Sequence, residues 1–83
     1  MPDVDMGIVA EIVEIIERKV AANNLVKARS GNLIAVVSLV ELGLGTCPHE
    51  VSTLVVGKKN LKNCKVIDSR TDGDAFMFCV KPY

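Results

Sequence analysis

Tryptophan is absent from this chain, and Phe76, Phe78 and Tyr83 are its only aromatic residues. A core therefore has to be assembled mainly from aliphatic side chains, of which Val is the commonest. Net charge is missing as well. Ten Lys and Arg balance ten Asp and Glu, which argues against a strong, non-specific polyanion binder, because such proteins carry a clear basic excess. Cysteine is sparse: Cys47, Cys64 and Cys79 form an odd set with no close pairing. That suits a reducing compartment better than a disulfide scaffold, and reads as buried thiols. Long apolar runs are lacking too. The longest, residues 33–44, is interrupted by Ser38, Glu41 and Gly43 and is too short to span a bilayer. With no basic segment and apolar stretch of the signal-peptide kind at its start, the chain reads as cytoplasmic and not membrane-bound.

What is present is the composition of a folded domain. Hydrophobic residues make up 49% of the 83, too large a share for a disordered segment. Residues 1–83 are read as one domain, close to the size at which oligomer formation often supplies missing buried surface, so a homodimer is expected. Charge is unevenly spread. Residues 1–45 hold six acidic and four basic side chains, and residues 46–83 hold four acidic and six basic ones.

The N-terminal third is patterned as a helix over about residues 4–23. Pro2, Asp3 and Asp5 precede it, where a carboxylate can accept free backbone N–H groups. Ile8, Val9, Ile12, Val13, Ile16 and Val20 recur at helical spacing, with Glu11, Glu14, Glu17 and Arg18 largely opposite. Asn23 and Asn24 make a natural end. Met6 and Ile15 widen the apolar stripe, so Ile8, Ile12 and Ile15 are candidates for a dimer interface. A helix buried on two sides within one chain accounts for the same stripe.

Beyond Arg29-Ser30-Gly31-Asn32 two readings stay open. In one, Ser30 or Asn32 caps a helix over residues 33–42, and a third helix runs from Pro48 to about Leu61. In the other, residues 25–29 and 33–42 form a hairpin around Ser-Gly, and residues 50–56, dense in β-branched side chains, form another strand. Periodicity cannot separate them, because residues 33–42 are apolar on both faces under either template. At the C-terminus, residues 64–69 and 75–80 flank Thr71-Asp72-Gly73-Asp74, and Asp-Gly between β-rich runs is a strong hairpin signal.

In the helical reading, residues 30–80 resemble the winged-helix transcription regulators, most closely the MarR-like type. Leu39-Val40-Glu41-Leu42-Gly43-Leu44 looks like the end of a first helix-turn-helix helix and its glycine turn, residues 49–62 like the recognition helix, and residues 65–78 like the wing. The resemblance implies an α+β fold of three helices plus a C-terminal β-hairpin, and a dimeric, non-catalytic regulator of transcription that binds double-stranded DNA. It also implies contacts to the duplex from Ser52, Thr53, Lys58, Lys59 and Lys62, with Arg70 at the wing reaching the minor groove. The chain departs from the pattern in a turn about two residues longer than usual, in Gly57 within the recognition helix, and in lysines at that helix's C-terminal end. The rival reading is an α+β module, one N-terminal helix on a small antiparallel sheet, whose partner is protein rather than nucleic acid.

Lys58, Lys59, Lys62 and Lys65, with no acid from 51 to 67, are the best anion-binding candidates in the sequence, and equally an ordinary solvated turn. No metal or cofactor is expected. Cys47-Pro48-His49 has neither CxxC nor paired-His spacing, Gly43-Leu44-Gly45 and Gly57-Lys58-Lys59 fall short of nucleotide-binding fingerprints, and Asp72 and Asp74 read as turn formers. No acid, base and nucleophile set converges, so no catalytic residue is assigned.

Overall fold

The computed structural model describes residues 5–83. Helix α1, Met6–Ala21, begins at Asp5, whose carboxylate accepts from the backbone N–H groups of Gly7 at 2.9 Å and Ile8 at 3.3 Å. Pro2 and Asp3, also expected at this start, lie outside the described residues. Asn23 closes the helix with φ of 54°, a left-handed conformation that asparagine tolerates better than most side chains.

After β1, Val26–Lys27, the chain turns through Gly31 (φ of 88°) into β2, Leu33–Ser38. Short α2, Leu39–Leu42, follows at once. Next come α3, His49–Val56, then β3, Cys64–Asp72, and β4, Ala75–Pro82. All strand pairs are antiparallel, in the spatial order β1-β2-β4-β3. The protein is thus α+β, with an N-terminal helix packed on a four-stranded antiparallel sheet. Among the described residues no helix is long and apolar enough to cross a membrane.

Neither reading of the middle survives whole. The expected helix over residues 33–42 is a strand to Ser38 and a helix only from Leu39, and its cap is neither Ser30 nor Asn32. Ser38 is the cap. Its hydroxyl accepts from the Val40 N–H at 3.1 Å while Glu41 accepts the Ser38 N–H at 2.8 Å, a reciprocal capping box. The expected strand over residues 50–56 is helical, and the helix drawn to Leu61 ends at Val56. Val51 and Val55, four apart, bury one face of α3 against the core, which outweighs the strand preference of β-branched residues. Residues 25–29 form a strand only at Val26 and Lys27.

Replacing Ser38 with Ala should cost about 1 kcal/mol, the usual worth of a lost cap. In a domain of this size that lowers the melting temperature by about 4–8 °C, readable in a thermal melt followed by circular dichroism. An unchanged melt would mean that tertiary packing alone switches the chain from β2 into α2.

One face of the sheet meets the helices. Ala35 and Val37 of β2, Phe76, Phe78 and Val80 of β4, and Cys64 and Val66 of β3 are buried against Val9, Ile12 and Ile16 of α1 and Val51 and Val55 of α3. The two phenylalanines sit at the centre, ring centroids 5.8 Å apart and 30° from parallel. The hairpin closes through Gly73-Asp74, with Asp72 paired to Ala75 and Gly73 at φ of 62°. Positive φ at the first loop position is what a type II′ hairpin turn demands, and glycine meets it without strain.

Candidate functional site

Alternation along β2 and β4 sends every second residue to the face away from the helices, and in the middle of this sheet those residues, Ile34, Val36, Met77 and Cys79, are apolar. The pairing register lays them in two rows. Ile34, Cys79 and Asp68 are neighbours across β2, β4 and β3, with Val26 of β1 beside Ile34; Val36, Met77 and Arg70 form the next row. A β-bulge between Val66 and Asp68 adds Ile67, 49% exposed, to the same side. Antiparallel sheets with one solvated face normally carry polar side chains there. Here the central strands carry Ile34, Val36, Met77 and Cys79 instead, and the polar pair Asp68 and Arg70 stands on the edge strand β3.

All of these residues but Val36 line a groove of about 690 Å³ with an apolar floor of Ile34, Met77 and Cys79. Val26 and the segment from Lys27 to Ser30 form one wall, and Ile67 to Arg70 of β3 form the other. Lys27, Arg29 and Arg70 bring three cations to the groove against one carboxylate, Asp68, and Asp68 is partly occupied in accepting the Ser69 N–H at 2.9 Å. The imbalance is local, since the whole chain is neutral.

The residues singled out in the sequence do not converge. Ser52 is only 2% exposed and its hydroxyl donates to the His49 carbonyl at 2.9 Å, so its expected contact with a duplex is corrected: it is an internal residue of α3. Thr53 is exposed but likewise donates to the His49 carbonyl, at 3.1 Å. Lys58 and Lys59 are exposed and share a cleft of about 450 Å³ with Glu14 and Glu17 of α1. Lys62 is exposed, and its backbone N–H donates to Glu17. Carboxylates beside these lysines weaken any field they project. Arg70 belongs to the sheet's other face.

The proposed dimer face is corrected too. Ile12 is fully buried and Ile15 is 8% exposed, both within the chain's own core, and Ile8 is half-buried against it. The stripe looked too wide because α1 meets both the sheet and α3. Of the three cysteines only Cys64 is fully buried; Cys47 and Cys79 are partly accessible. Burial first, and the Glu17 carboxylate second, push the Cys64 thiol above its ordinary value, which keeps it protonated and unreactive. Among the described residues no three His, Cys, Asp or Glu side chains are grouped to hold a metal ion.

Sequence reasoning missed the groove because its floor residues become a face only once residues 33–38 are known to be a strand. The signal was the lack of polar residues at alternate positions: Ile34, Val36, Met77 and Cys79 fill outward slots that a half-solvated strand would give to polar side chains. No family model, curated protein or solved structure matches this chain.

Proposed function

We propose that the protein is a non-catalytic interaction module whose outer sheet face receives a segment of a protein partner. The observation that carries this reading is the apolar outer face itself. The helices cover only the inner face, while Val26, Ile34, Val36, Ile67, Met77 and Cys79 present a continuous apolar surface on the other, which is the character of a docking surface rather than of a solvated sheet. A displayed library of random peptides tests it. Enriched peptides should bind the intact protein and lose binding when Ile34→Asp places a charge on the groove floor, with the variant still folded by circular dichroism. Binding insensitive to Ile34→Asp, or no enrichment at all, would overturn the reading.

A second reading, a DNA-binding regulator of the winged helix-turn-helix type, draws support from the order of elements. The pair α2 and α3 lies between β2 and the β3–β4 hairpin, and β4 pairs with β2, so pair and hairpin share one scaffold. The Cys47 thiol donates to the Gly73 carbonyl at 3.8 Å, which sets the start of α3 beside the hairpin tip. The charge there opposes phosphate: Glu50, Asp72 and Asp74 are all exposed at that end. Titration of a labelled duplex discriminates the readings. A regulator would bind with a steep salt dependence that Lys58→Ala with Lys59→Ala flattens. The interaction module gives no such binding.

A further inference from the structure

Resting on the outer-face reading, we propose that the groove's partner is an acidic extended segment of another protein, with carboxylates flanking an apolar side chain. The apolar floor selects the central residue, and the walls select its neighbours. Lys27 and Arg29 stand on the β1 side and Arg70 on the β3 side, with Asp68 the sole opposing charge among the lining residues. Three inter-strand steps separate β1 from β3, roughly 14 Å at the usual strand spacing. An extended peptide crossing the strands advances about 3.3 Å per residue, so carboxylates about four positions apart reach both walls. Because extended side chains alternate, the residue midway between them points the same way. It enters the floor beside Ile34 and Met77.

The same features disfavour other occupants. No aromatic residue lines the groove, so nucleic-acid bases have no platform on which to stack. A flat lipid surface meets the rim before it reaches the half-buried floor of Ile34, Met77 and Cys79. A second copy docked face to face about a two-fold axis along or across the strands would set the cationic walls of one copy, Lys27 and Arg29 or Arg70, against those of the other, a repulsive pairing.

The test uses short synthetic peptides built around Glu-Thr-Leu-Thr-Glu, with Gln and Lys versions in place of Glu, titrated into the full chain by calorimetry. The Glu peptide should bind, lose affinity as salt rises, and protect Cys79 from alkylation. Arg29→Glu and Arg70→Glu should each weaken it by roughly fivefold or more, and the double variant should prefer the Lys peptide. Both arginines are exposed, so these variants should retain the fold. If Gln and Glu peptides bind equally well and both protect Cys79, the acidic partner is overturned while the docking face stands. If no peptide protects Cys79, both fall. Arginine-dependent binding of anionic vesicles or duplex DNA without peptide binding would overturn the proposal in favour of those ligands.

Discussion

Phe78→Ala is expected to cost about 3–5 kcal/mol, the range for removing a buried phenylalanine side chain. Phe78 is fully buried, stacks on Phe76, and pairs across β2 with Ala35, the smallest side chain on that strand's inner face. That pairing matters. A small residue beneath the ring leaves space that only the ring fills, so truncation opens a cavity that neighbouring strand residues cannot close without breaking register. Domains of this size have total stabilities of only about 5–15 kcal/mol. The variant should therefore lose much of its cooperative urea transition or unfold at a far lower midpoint, whereas Phe78→Leu should retain a clear transition. The neighbouring Met77→Ala faces the groove and should cost much less. Equal losses at 77 and 78 would contradict the assignment of inner and outer faces.

How far these faces could be read in the sequence depends on which signals act locally. The start and end of α1 were legible because Asp5 and the Asn23-Asn24 pair act within one turn of the chain. The hairpin was legible for the same reason, through Asp72-Gly73. Residues 33–42 were not, because hydrophobic patterning has no preferred period when both faces are apolar, and both faces are apolar because one meets the helices and the other forms the groove. One local signal was available there. Ser38 and Glu41 have capping-box spacing and mark where strand gives way to helix. Residues 50–56 were ambiguous for a different reason: β-branched side chains favour strands intrinsically, and only burial of Val51 and Val55 decides for helix.

Site residues followed the same division. Exposure of the lysines and of Arg70 was readable from residue type, since long charged side chains are seldom buried. Their separation was not. It depends on Glu14 and Glu17 of α1 lying beside Lys58 and Lys59, and on the strand register that turns Arg70 to the opposite face. Ser52 was misassigned because a serine beside the buried face of a helix can satisfy its hydroxyl on the helix's own backbone, as its bond to the His49 carbonyl does, and so be buried without any outside partner.

Ile12→Ala should cost about 2–5 kcal/mol, and how that loss depends on concentration distinguishes a core residue from an interface residue. Ile12 is fully buried among side chains of the same chain, in the cluster that joins α1 to the sheet and to α3. Its removal should lower the melting temperature by at least about 8 °C, by the scaling for domains of this length. Because the contacts are intramolecular, neither the parent nor the variant should melt at a temperature that rises with protein concentration. Had α1 been a dimer face, dilution would lower the melting point of the parent, and the variant would separate into folded monomers before it unfolded. Ile8→Ala supplies the internal control. Ile8 is only partly buried, so its loss should be smaller in the same melts. A concentration-dependent transition carried by Ile12 would return α1 to the role of an interface, and would require α1 to leave the sheet to perform it.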